Sequence, residues 1–277
     1  MFNTRGEVML THFFRRPANF KRMITALLAA GAIAFTVPAP SRTAMPPARP
    51  NGIEHTLFTQ VLADHVKDGA VDYKAIKTDP RFPQYIAVLQ KSNPEALTGE
   101  EKLAFWINAY NAFTIQYVLD KYPVKSLMNK LSYVTGGGTF KTKFIKINSR
   151  KYSLNDIEND IIRPMGDPRI HFALVCGAKS CPPLRAEAYV AGRLSEQMNE
   201  QGRLFISQSD KNRFDFEKNE IAISKIFDWF KDDFRKNGKS ELEFISHYLP
   251  PEQAQKLLAR SATIKVKYTE YDWDLNE

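Results

Sequence analysis

What this chain lacks narrows its chemistry before any motif is read. Its 277 residues contain only two cysteines, so no second cysteine pair exists to complete a zinc ribbon. No P-loop, no GxGxxG turn and no GxSxG elbow occurs. The phosphate cradle, the dinucleotide-binding turn and the strained serine that depend on those patterns are therefore not offered. The glycine run 136–138 has neither the lysine nor the helix start that phosphate binding needs. Internal repeats are absent, and so is any linker inside residues 53–277 long enough to divide them. The composition is that of an ordinary globular protein, 43% hydrophobic and 25% charged, able to build a core without covalent staples.

Charge of one sign is also scarce once the first residues are set aside. The net charge is +8, but residues 1–44 hold Arg5, Arg15, Arg16, Lys21, Arg22 and Arg42 against Glu7 alone. Beyond them 33 basic and 30 acidic residues leave +3. No basic block interleaved with aromatics remains, so a nucleic-acid partner is not expected. The basic residues precede an apolar run at 23–37, followed by Pro38, Ala39 and Pro40. Its 15 residues fall short of the roughly 20 that cross a bilayer. Residues 1–44 thus read as a secretory leader with small residues at Ala39 and Ala44 for cleavage, the alternative being an uncleaved anchor. Residues 45–52 read as a proline-rich tether. The expected location is the periplasm or the exterior, with no stable membrane span after leader cleavage and a single globular domain over residues 53–277.

Helices are expected over 56–65, from Asp79 to about Gln90, and from a Thr98 cap with Glu101 at capping-box spacing to Tyr122, where Pro123 follows. Alternation at 144–147 and 151–152 marks strands, and Ser153 caps a helix with Leu154, Ile157, Glu158 and Ile161. Residues 171–176 read as a buried strand, 188–206 as one amphipathic helix, and 214–216 with 220–223 as a hairpin. Helices near 225–234, 241–248 and 252–258 precede a closing strand at 264–268. Without a regular βαβ rhythm, the fold class is α+β, a helix-rich domain around a mainly antiparallel sheet.

Reactive side chains concentrate in residues 170–184, IHFALVCGAKSCPPL, which hold His171, Cys176 and Cys181. A cysteine nucleophile needs a base or cation to become a thiolate. His171 is nearest in sequence, but on a straight strand it would lie roughly 16 Å from Cys176 and face the other way. Glu158, His65 and His247 are further candidate partners. In an oxidising compartment the two cysteines can instead close a disulfide across Gly177. No metal site and no cofactor is expected. In the helix expected from Thr98 to Tyr122, Asn108 and Asn111 share a face. Mid-helix asparagine competes with the backbone, so both amides are expected to tie neighbouring loops or to orient a substrate. Arg185, after Pro182 and Pro183, is a candidate carboxylate binder or an ordinary surface arginine.

Several stretches together resemble one family: KLAFWINAYNAFTIQYV at 102–118, YPVKSL at 122–127, SLNDIEN at 153–159, DPRIHFALVCGAKSCPPL at 167–184, IFDWFKDDF at 226–234 and YDWDLN at 271–276. Over about residues 71–277 the chain looks like the domain of unknown function 547 family. The resemblance implies an exported bacterial member and singles out Asn108, Asn111, Glu158, His171, Cys176 and Cys181. It carries over no activity. Where the family pattern often has Ala-Ser after the first cysteine, this chain has Gly177 and Ala178.

The expectation from sequence is a thiol-dependent hydrolase or acyl transferase of the cell envelope. Cys176 would be the nucleophile, His171 and Glu158 its acid–base partners, and Asn108, Asn111, Cys181 and Arg185 the substrate contacts. The alternative is a non-enzymatic envelope binding module with a structural Cys176–Cys181 disulfide. Either would take a small molecule or an envelope peptide or polymer.

Overall fold

Apolar residues at helical spacing give the first two long helices their buried faces. In α1 (Thr56–His65) these are Phe58, Val61 and Leu62. Between the long helices lie the hairpin of β1 (Val66–Lys67) and β2 (Ala70–Val71) and the short α2 (Tyr73–Ile76), whose first turn is capped by the Asp72 carboxylate accepting from Ala75 N at 2.8 Å. In α3 (Arg81–Lys91) Phe82, Tyr85, Ile86 and Leu89 are buried. Gly69 turns the hairpin at φ +87°, and a side chain there would collide with Pro183. The hairpin tip therefore rests on the loop that follows the cysteines. This is a computed structural model, and it describes residues 53–127, 138–236 and 240–277. The expected leader and tether, together with Gly136 and Gly137, lie outside the described residues.

Helix α4 (Gly99–Lys121) is buried on every side from Leu103 to Ile115. It begins where the Thr98 signal places it, but the Thr98 side chain makes no capping hydrogen bond. Burial of apolar surface, not the expected cap, holds this helix. The β3 (Ile145–Ile147) and β4 (Arg150–Tyr152) hairpin leads to Ser153, where the cap does form. Ser153 Oγ accepts from Asp156 N and Asp156 Oδ2 accepts from Ser153 N, both at 3.0 Å. The capped segment is a π-helix, Asp156–Ile162, a rare form that recurs at functional sites.

The expected strand at 171–176 is instead one helical turn, α5 (Ile170–Ala173), with an extended residue, Leu174, after it. Asn111 accounts for the change of direction. Its amide donates to Ala173 O and accepts from Val175 N, both at 2.9 Å, the two bonds a neighbouring strand would otherwise supply. Asn108 does the same for Tyr189, donating to its O at 2.8 Å and accepting from its N at 2.9 Å. That bond holds the chain extended near Val190, so the expected helix over 188–206 starts later, as α6 (Leu194–Ser207).

The remaining elements are β5 (Arg213–Asp215), β6 (Glu220–Ile223), α7 (Ile226–Trp229), α8 (Lys231–Phe234), α9 (Glu241–Ser246), α10 (Pro251–Ala259) and β7 (Lys265–Tyr268). The helix expected over 225–234 is divided at Phe230, whose φ of −112° and ψ of 24° are not helical. Sheet pairing is mainly antiparallel, in β1–β2, β3–β4 and β5–β6, while β6–β7 is parallel. The fold is α+β with small sheets. Two apolar clusters form the interior, one around α1, α3 and α4, the other around Phe172, Phe205, Phe227 and Phe234. Tyr271 packs against both. Among the described residues no helix is long and apolar enough to cross a membrane.

Candidate functional site

At the seam of the two clusters lies a cleft of about 440 Å³. Because residues 170–173 coil into a turn, His171 and Cys176 both reach its wall, and the separation expected of a straight strand does not arise. Glu158 and Tyr110 enter from the π-helix and α4, and Cys181 from the loop beyond Gly177. Much of the rest of the wall is aromatic. Trp229 and Phe230 come from the break between α7 and α8, and Tyr271 and Trp273 from the last residues of the chain. Trp229 and Trp273 stack at 5.7 Å, and Tyr271 lies 4.8 Å from Trp229 and 4.5 Å from Trp273.

Both cysteines of the chain are joined, Cys176 to Cys181, with their Cα atoms 6.3 Å apart. Gly177, at φ +84°, turns the chain between them. The loop is fastened to the C-terminal segment by backbone bonds: Lys179 N to Asp274 O at 2.8 Å, Ser180 N to Asp272 O at 3.2 Å and Asn276 N to Gly177 O at 3.1 Å. Tyr73 Oη adds a buried bond to Asn276 Oδ1 at 2.7 Å. Ala178 is buried and pairs with Leu275. The YDWDLN stretch is thus the clasp of the cysteine loop.

His171 is buried and stacked on Phe230, ring centres 3.9 Å apart. Its Nε2 is 2.9 Å from Asp233 Oδ2, which also accepts from Arg163 Nε at 2.6 Å. The His171 hydrogen bond, reinforced by Arg163, overcomes burial and holds the Asp233 carboxyl well below the usual carboxylate range. Glu158 behaves in the opposite way. Burial of its carboxylate raises its pKa despite the opposing pull of His171, the Tyr110 hydroxyl and Arg163. Tyr110 Oη donates to Glu158 Oε2 at 3.1 Å, and burial foremost pushes that phenol up as well. The cleft therefore holds Glu158, whose ionisation burial makes harder than usual, near His171, which is backed by a firmly ionised Asp233.

Of the residues singled out from sequence, Glu158, His171, Cys176 and Cys181 meet in this cleft. Asn108 and Asn111 do not line it, because both amides are committed to backbone as described. Arg185 is also elsewhere, paired with Glu187 and with Glu200 at 2.6 Å. His65 binds Asp79 at 2.8 Å, and His247 is exposed beside Phe244 O at 3.3 Å. Among the described residues no group of three or more His, Cys, Asp or Glu side chains is arranged to hold a metal ion. Sequence reasoning missed Asp233, Tyr110 and the aromatic wall. The IFDWFKDDF and YDWDLN stretches, already conspicuous as motifs, carried the signal.

Residues 94–206 match the family model described as "Protein of unknown function, DUF547". The match covers this stretch alone, and Trp229, Phe230, Asp233, Tyr271 and Trp273 lie beyond it. No match was found among curated proteins or among solved structures.

Proposed function

We propose that this protein is an envelope binding module whose cleft seats a small molecule or the end of an envelope peptide or polymer. The observation that carries this reading is the joining of Cys176 to Cys181 in the wall of an aromatic cleft. A bonded sulfur has no thiolate with which to attack an acyl carbon. What the cleft retains is the equipment of recognition. Its about 440 Å³ suits a small ligand, its wall is mostly apolar and aromatic, and a few polar groups converge on it. Asn155, Glu158 and Asn159 place polar groups in its wall, and Trp229 and Trp273 offer flat faces for rings or apolar side chains. Export rests on the leader pattern of residues 1–44.

One observation favours a second reading, thiol-dependent hydrolysis or acyl transfer. His171, oriented by Asp233, shares the cleft with Cys176. After reduction it could take the thiol proton, the Cys176 thiolate would attack an acyl carbonyl, and Glu158 could protonate the leaving group.

Tryptophan fluorescence of the oxidised protein, titrated with envelope glycan and peptide fragments, tests the first reading, and chromatography of the same mixtures for cleavage products tests the second. Saturable quenching without products, reduced at least tenfold in affinity by Trp273→Ala, is expected. Products that appear only with reductant and vanish in Cys176→Ser would replace binding by thiol catalysis.

A further inference from the structure

We infer that the Cys176–Cys181 bond is a thiol–disulfide exchange centre, with Cys176 the sulfur attacked and Cys181 the leaving thiolate. The inference concerns the sulfur pair alone and does not depend on the binding reading.

Two observations make the pair asymmetric. The first is access: Cys176 is half-buried at the cleft, whereas Cys181 is 3% exposed. An incoming thiol meets Cys176 first. The second is the placement of donors. Cys181 Sγ accepts from Cys176 N at 3.0 Å and from Tyr271 Oη at 3.2 Å, while Cys176 Sγ lies 3.4 Å from the same hydroxyl. A disulfide sulfur is a weak acceptor, so these donors contribute little to the oxidised state. A thiolate is a strong one, and charge-assisted bonds are roughly twice as strong as neutral ones. The donors therefore favour the state in which Cys181 carries negative charge. Lys211 Nζ, bonded to Cys181 O at 2.8 Å, and the bonds from Lys179 and Ser180 to the C-terminal segment keep the loop in place around that sulfur.

The exchange balances without further groups. A substrate thiolate forms a bond to Cys176 Sγ. The Cys176–Cys181 bond breaks, and its electron pair leaves on Cys181 Sγ, held by Cys176 N–H and Tyr271 O–H. A second thiolate of the substrate then attacks the substrate sulfur of the mixed disulfide and expels the Cys176 thiolate, which takes a proton from water. Two substrate thiols become one disulfide, and the protein disulfide becomes two thiols. The same steps in reverse, with a second disulfide-bearing molecule as oxidant, restore the bond. Stabilising the leaving thiolate speeds the forward step and makes the pair the more oxidising one. The aromatic wall of Trp229 and Trp273 suits cysteinyl peptides with apolar neighbours as substrates.

The experiment uses the full oxidised chain and glutathione as probe, with quenched samples analysed by mass spectrometry. A disulfide-closed peptide of residues 176–181 is the reference. Reduction of the protein at least tenfold faster than of the peptide is expected. Cys181→Ala, exposed to glutathione disulfide, should trap glutathione on Cys176, whereas Cys176→Ala should leave Cys181 unmodified. Tyr271→Phe should slow reduction about tenfold, as loss of one bond to a charged group implies, and should raise the pH at which reduced Cys181 ionises, read by thiolate absorbance. A rate no faster than the peptide's, equal trapping at both sulfurs, or an unchanged Tyr271→Phe profile would each overturn the inference. Should Tyr271→Phe fail to fold, the peptide comparison and the trapping pattern decide alone.

Discussion

At Glu158 a carboxyl group sits where ionisation is disfavoured, with a phenol, not a cation, as its hydrogen-bond partner. Its folded pKa lies above the unfolded value. Below the unfolded value both states are protonated and nothing is lost. As pH rises, the unfolded chain ionises first and stability falls until the folded pKa is passed. Glu158→Gln, which keeps the shape and cannot ionise, should therefore melt at the same temperature as the native chain near pH 4 and on the order of a few degrees higher near pH 8. Thermal unfolding across that range checks it, and a difference that does not grow with pH would refute the assignment. Asp233 has the opposite sign: its contribution is present above the unfolded carboxylate pKa and is lost on acidification.

Among the elements, α4 acts through its two asparagines as much as through its apolar surface. Asn111→Leu conserves volume but leaves Ala173 O and Val175 N unpaired in the interior, at roughly 1–3 kcal/mol each. We expect a total loss of about 2–6 kcal/mol by urea denaturation, together with altered chemistry at Cys176, one residue beyond the lost bond. Asn108→Leu should cost a similar amount yet leave Cys176 unaffected, because the backbone it holds, at Tyr189, does not line the cleft. Equal effects of both variants on Cys176 would show that the asparagines act only through overall stability. The sequence made their helix legible through its length and apolar content, and it placed a bonding requirement on both amides. It did not show the partners, which lie 62 to 81 residues away. The run around His171 departs from its expected form for a related reason. A short apolar stretch fits a strand or a buried helical turn equally, and the choice is made by Asn111, a tertiary contact. The division at Phe230 is likewise set by where its ring meets His171. Cleft residues carrying chemistry were visible because cysteine, histidine and acid are conspicuous near one another. Those supplying aromatic surface were not, since Trp and Tyr in an apolar context read as core.

For the molecule as a whole, the site is spread more widely than the family match. Residues 94–206 include Tyr110, Glu158, His171 and both cysteines. They omit α1 and α3, Asp233, the aromatic wall and most of the second apolar cluster. A fragment with those bounds should show no cooperative thermal transition by circular dichroism, in contrast to residues 53–277. A sharp transition in the fragment would mean that the matched stretch is self-sufficient.

The clasp formed by residues 271–276 also imposes a timetable. Cys176 and Cys181 are five residues apart and can meet as soon as their loop emerges, but Tyr271 follows Cys181 by 90 positions. At about 5–20 residues per second, the ribosome needs roughly 5–18 s to supply it. Every newborn copy thus passes through an interval in which its sulfurs lack their hydroxyl neighbour, and the mature pocket is completed only once the chain has been made as far as that clasp.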